Sequence, residues 1–268
     1  MEGGNRTVWI VIIVVALLAL LCCCALAVGG ILAGGLVAFP FSREVGVARV
    51  TESTEQAFEV GASPVLEVDN FAGTVTIRSG ESEEIRVTIT RRAVNSDRLN
   101  DIEVDVNEQD DGLRIETRRE RTVVGNMSVD MEISVPTDTE IDVDNGAGNV
   151  RIEGVEGQIR AHTGAGNIRV EGAAAPIRMD TGAGELEYEG DPEGECTFQN
   201  GAGNIVIRLP SDVNAEVELT VGIGNINLAG FDVDGEVSNQ EVDGTIGTGE
   251  GATIDAHTGA GTIRLSEQ

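Results

Sequence analysis

One short unit, Gly-x-Gly followed by a polar and then an aliphatic residue, recurs through the second half of this 268-residue chain. It appears as NGAGNV at Asn145, TGAGNI at Thr163, TGAGEL at Thr181, NGAGNI at Asn200, VGIGNI at Val221 and TGAGTI at Thr258. The glycine pairs are Gly146 and Gly148, Gly164 and Gly166, Gly182 and Gly184, Gly201 and Gly203, Gly222 and Gly224, and Gly259 and Gly261. The spacings of their first members are 18, 18, 19, 21 and 37. A fixed period of this size marks one supersecondary unit per repeat, stable only when stacked on its neighbours. The last interval, Gly222 to Gly259, reads as two periods, with a decayed copy near Ile246. A relative, NFAGTVTIRSG, starts at Asn70, and its distance from Asn145 reads as four periods.

Within each unit apolar residues alternate with polar ones, the strand period. Val150 and Ile152 flank Arg151, Ile159 and Ala161 flank Arg160, and Ile168 and Val170 flank Arg169. The expectation is an all-β fold: a parallel β-solenoid, or β-helix, with coils of about 18 residues, preceded by one transmembrane helix. A left-handed hexapeptide helix would need an aliphatic residue at every sixth position. The series Val150, Glu156, His162 fails that test. A β-sandwich of tandem hairpins is the structural alternative, and the constant period counts against it.

Stacked coils make specific demands on the repeat positions. The glycines turn corners, with the small alanine between them expected inside the turn. Asn149, Asn167, Asn204 and Asn225 share one position and are expected to form an asparagine ladder along the axis. Arg151 and Arg169 fall in one outward column, and Glu153, Glu171 and Glu189 in the next. Pro136 and Pro210 each close a strand. Residues from Pro64 to Val135 read as longer, broader coils, with Asn95 to Asp101 as a short turn or helix that caps them. The far end reads as uncapped, because the chain stops at Gln268 inside a strand pattern.

Thr7 to Ser42 carries no charge. As one helix it would span about 54 Å, more than the roughly 30 Å hydrocarbon core of a bilayer. Val8 to Ala27 alone suffices for one crossing. A cleaved signal peptide is the rival reading, since Ala25-Leu26-Ala27 resembles a cleavage site. Either reading exports the remainder. The expected organisation is a tail and anchor over residues 1–42, a linker over 43–63 and the solenoid over 64–268.

All 18 basic residues are arginine against 46 acidic ones, giving a net charge of -28. Such a chain is a poor partner for nucleic acid. Cys22, Cys23 and Cys24 lie in the apolar run and Cys196 is alone, so no disulfide framework is readable. The Gly-Ala-Gly turns precede strands, not helices, and so lack the dipole of a phosphate loop. Calcium-binding rolls place carboxylates in every turn, whereas His162, Gln199 and His257 stand at equivalent places here. On the two-period reading of the gap, His162 and His257 are about five coils, or roughly 25 Å, apart and share no site. No catalytic, cofactor or metal residues emerge.

The anchor, the repeated GAGNIRVEG units and the strand exits at Val135-Pro136 and Leu209-Pro210 together resemble the bacterial and archaeal family of unknown function labelled "putative adhesin". They are similar also to the head GIN domain proteins. The resemblance covers Pro64 to Gln268 and implies a cell-envelope β-solenoid without catalytic residues. The functional expectation is a non-enzymatic, single-pass membrane protein with its bulk outside the cytoplasm, acting as an envelope scaffold, adhesin-like or binding module. Its expected partners are an envelope protein or polysaccharide, or a second copy through the solenoid end. The alternative is a carbohydrate-active β-helix enzyme acting on an envelope polysaccharide.

Overall fold

The computed structural model describes residues 50–80, 83–109, 112–119 and 127–268. The expected membrane segment, Thr7 to Ser42, lies outside the described residues. Among the described residues no helix is long and apolar enough to cross a membrane.

Alternating apolar residues build strands that stack in two facing columns. The regular part begins with β8 (Glu140–Asn145) and β9 (Val150–Glu153). It continues with β10 (Ile159–Thr163) and β11 (Ile168–Glu171), then β12 (Ile177–Ala183) and β13 (Leu186–Glu189), then β14 (Glu195–Ala202) and β15 (Ile205–Leu209). Even-numbered strands pair in parallel down one column, and odd-numbered strands down the other. Each pair of strands, joined at a Gly-x-Gly corner, is one rung. Ile141, Ile159, Ile177 and Cys196 stack in register on the first column, facing Val150, Ile168, Leu186 and Ile205 on the second. All eight are buried. Burying each such aliphatic side chain contributes about 1.5–3 kcal/mol, which replaces the missing aromatic core. Two fully buried rings, Tyr188 and Phe198, meet across the columns with centroids 5.6 Å apart.

Both ends depart from this plan. Near the start, β2 (Val65–Asn70) and β3 (Val75–Gly80) form an interior rung. One side of it pairs with β8 and β9, the other with β6 (Gly112–Arg119) and β7 (Ser128–Pro136). The interval between Asn70 and Asn145 is therefore one rung step, not four, because the two residues are direct register partners. The intervening chain makes β4 (Glu84–Ala93), helix α1 (Ser96–Asn100) and β5 (Ile102–Gln109) as well as β6 and β7. The helix is capped by Asn95, whose Oδ1 accepts from the Arg98 N–H at 2.9 Å. Residues 43–63, expected as a linker, include β1 (Val50–Glu59), paired antiparallel with β4 along its whole length.

At the other end, β16 (Ala215–Ala229) and β19 (Ala252–Glu267) each run straight through a corner and serve both columns. The last strand in the chain is not the last rung. β19 lies between β14 and β15 on one side and β16 on the other, in parallel register with all three. Gln268 is thus not at an uncapped end: its N–H donates to Leu209 O at 3.0 Å and its Nε2 to Gly190 O at 3.3 Å. The interval between Gly222 and Gly259 holds no decayed copy. It holds a hairpin, β17 (Val233–Val237) and β18 (Glu241–Ile246), which folds antiparallel onto β16.

The solenoid is therefore of mixed pairing rather than wholly parallel. Antiparallel strands cap both ends, where short hairpin turns can return the chain without a crossover.

Candidate functional site

The Gly-x-Gly corners bring two unlike ladders to the surface and core. The second glycine of each takes positive φ, as in Gly166 at 150°, and a Cβ there would lie 1.9 Å from Gly148 O. The first, as in Gly164, has no such φ, but its Cβ would lie 2.6 Å from Gly146 O. Close backbone stacking, more than conformational freedom, demands both. The alanine between them, as at Ala165, is exposed rather than tucked inside, since the corner is filled by backbone of the next rung.

A buried polar ladder sits just before each corner. Asn145, Thr163, Thr181, Asn200 and Thr258 donate to the carbonyls of Gly73, Gly148, Gly166, Gly184 and Gly203 respectively, at 2.9 to 3.2 Å. Each side chain thus satisfies a carbonyl of the neighbouring rung that would otherwise be stranded in the core. Sequence reading missed this ladder. Its signal was the recurrence of Asn or Thr immediately before the first glycine.

The expected asparagine ladder lies just after the corner, on the outside. Asn149, Asn167, Asn204 and Asn225 are all exposed. Asn149 Oδ1 accepts from the Asn167 N–H at 3.2 Å, and Asn167 Oδ1 from the Glu185 N–H at 2.9 Å. Asn204 Oδ1 accepts from the Thr262 N–H at 3.2 Å. These bonds join side chain to backbone, not amide to amide. Asn225 stands apart, bonding Asn227 on its own strand at 3.1 Å.

This geometry turns the Asn149 and Asn167 Nδ2 groups toward solvent, with no acceptor among the described residues. Around them opens a cleft of about 280 Å³ on the outer face of β3, β9, β11 and β13. Its polar walls are Thr74, Thr76, Arg78, Arg151, Arg169, Glu185 and Glu187, with Val150 and Ile168 beside them. Most of its charges are already spent. Arg78 binds Glu153 at 2.8 Å, and Arg169 is held by Glu171 and Glu187. Burial alone would raise the Glu187 carboxyl, but hydrogen bonds from Arg208 and Arg169 bring it below its ordinary value. Arg151 is the exception: among the described residues its one carboxylate contact, to Glu153, is 3.9 Å long, and the side chain is 50% exposed. The cleft therefore offers amide and guanidinium donors, threonine hydroxyls and the Glu185 carboxylate. That set suits a hydroxyl-rich ligand.

The remaining reactive groups stand elsewhere. Cys196 is buried, which pushes its thiol up to about 11. His162 and His257 are separated by three rungs, through Asp180 and Gln199, or about 14 Å, rather than five coils. Among the described residues no group of three His, Cys, Asp or Glu side chains is placed to hold a metal ion.

With the interleaved end rungs and the polar corners in hand, the comparison with known families is decisive: residues 65–244 match the Toastrack DUF4097 model. The chain belongs to that Toastrack family. Its fold is shared with the crystal structure of a putative cell adhesion protein from Clostridium sporogenes, at a TM-score of 0.54 and 14% identity, covering 82% of this chain and 100% of that one. A putative adhesin from Bacteroides fragilis aligns at a TM-score of 0.45 and 12% identity, over 81% of this chain and 97% of its own. No curated protein matches the Toastrack chain.

Proposed function

We propose that this protein is a non-enzymatic, membrane-anchored binding module of the cell envelope, held outside the cytoplasm and adhesin-like in action. The observation that carries the reading is the cleft beside Arg151, where a rigid ladder spends its asparagine oxygens on the backbone and leaves the amide donors facing outward. The uncharged stretch from Thr7 to Ser42 supports the anchor, and the fold shared with a protein described as a putative cell adhesion protein supports the role. A polyhydroxylated envelope ligand fits the donors.

A glycan array with the full-length protein in detergent tests this. Saturable binding without turnover, reduced at least tenfold by Arg151→Gln with Asn167→Ala, is the expected result. Turnover of any glycan would favour the carbohydrate-active enzyme instead. Protease digestion of intact cells should remove the domain, and a domain protected until lysis would remove the extracytoplasmic placement. Self-association, on this reading, uses the β16 edge, where Ile223 is 75% exposed, rather than Gln268. A sedimentation coefficient independent of concentration would eliminate it.

A further inference from the structure

The opposite outer face carries a second stacked arginine pair, distinct from the Arg151–Arg169 pair of the first cleft. Arg160 on β10 and Arg178 on β12 are direct register partners, so their stems leave adjacent strands about 4.8 Å apart. Most of the described arginines meet a carboxylate. Arg160 reaches Glu140 at 3.0 Å. Arg178 has no carboxylate within 4.0 Å among the described residues and is exposed. Two cationic side chains stacked on adjacent strands, one of them without a carboxylate, repel each other unless an anion joins them.

Both arginines line each of two shallow clefts. One, of about 170 Å³, adds Gln158, Glu195 and Thr197. The other, of about 200 Å³, adds Asp142, Asp144, His162 and Asp180. The arginine pair is the wall common to both, so a ligand centred on it has room on either side. The flanking groups narrow its chemistry. A guanidinium presents planar forked donors that match a carboxylate. The surrounding Asp142, Asp144, Asp180 and Glu195 repel a dianion or a polyanion, as does the net charge of -28. The same carboxylates, with Gln158 and Thr197, accept hydrogen bonds from hydroxyl groups. His162 is already turned toward Asp180, with Nδ1 to Oδ1 at 3.4 Å, and is not needed as a ligand.

We propose that the Arg160–Arg178 pair is a second binding site, specific for a single carboxylate on an otherwise neutral, hydroxylated sugar. It lies on the other column from the Arg151 cleft and stands independently of it.

The test uses full-length protein in detergent, titrated calorimetrically with 3′-sialyllactose, its methyl ester and lactose. Sialyllactose is expected to bind saturably, and the ester and lactose at least tenfold more weakly. Arg178→Gln should lose the acid-sugar preference with an unchanged melting temperature, since its side chain is exposed and unpaired. Arg151→Gln should leave this preference intact, which separates the two sites. Equal binding of ester and acid, no loss in Arg178→Gln, or no saturable binding of sialyllactose would overturn the proposal. So would displacement by equimolar inorganic phosphate, or tighter binding of polygalacturonate, since either would mark a site for higher charge.

Discussion

The middle of the molecule and its two ends are built from the same rung by opposite rules. From β8 to β15 each rung is followed in the chain by the rung it stacks on, so that every residue pairs with its counterpart one repeat away. At the ends the stacking order and the chain order part. The β2–β3 rung is enclosed on one side by strands from far downstream, with Leu66 on Leu113 and Val75 on Met131. The C-terminal β19 is enclosed by strands already made. The middle is local and repetitive. The ends are locked by long-range pairing. A solenoid whose ends were also consecutive would finish on bare edges. Here the β17–β18 hairpin and the antiparallel pairing of β1 with β4 supply the outermost strands instead.

The widest separation between the two rules should come from removing the last strand. Deleting residues 252–268 leaves β14, β15 and β16 without their shared partner, so the region from β16 to β18 should lose its fold. Hydrogen exchange should show that region unprotected while β8 to β13 keep at least part of their protection. Full protection of β16 in the truncated chain would break the contrast.

Single side chains sharpen it. Phe198→Ala, in the packed middle, should cost about 3–5 kcal/mol. Val237→Ala, at a position 55% exposed on the terminal hairpin, should change stability by less than about 0.5 kcal/mol. Denaturant midpoints of the two variants give the comparison directly. Thr181→Val keeps the shape of the buried ladder but strands Gly166 O, at a cost of about 1–3 kcal/mol.

The smallest effect is electrostatic. Burial first, and then the carboxylates of Asp144 and Glu116, raise the Asp69 carboxyl where the interleaved rung meets its neighbours. The folded state therefore holds this proton more tightly than the unfolded chain does. Ionising Asp69 opposes folding above its raised value, and the penalty vanishes below the ordinary carboxylate range. Asp69→Asn should raise the melting temperature slightly at pH 7, and the gain should disappear as the pH falls toward about 4.

What could be read from the sequence follows the same division. The corners from Gly146 to Gly203, the alternating core and the Arg and Glu columns were all legible, because there chain distance equals rung distance. The two long intervals, Asn70 to Asn145 and Gly222 to Gly259, were misread for one reason: a period counted along the chain cannot report an insertion between neighbours. Nothing in GTGEG, residues 247–251, tells that the strand after it slips inside the strand before. The outward asparagine position was visible, but which atoms bond was not. The buried Asn and Thr ladder was hidden by chemistry, since small polar residues beside glycines read as ordinary turns. The two arginine sites needed register across rungs and exposure before either could be seen.

The interleaving of β19 can be tested with one pair of cysteines. Gln199 and His257 are distant in sequence, with the whole of β15 to β18 between them, but are direct register partners on the outer face. In a full chain with Cys22, Cys23 and Cys24 replaced by serine, Gln199→Cys with His257→Cys should form a disulfide on mild oxidation, since parallel neighbours lie within the usual Cα range of about 4.4–6.8 Å. The matching pair at His162 and His257, three rungs apart, should not. Crosslinking of neither pair would contradict the placement of the last strand inside the stack.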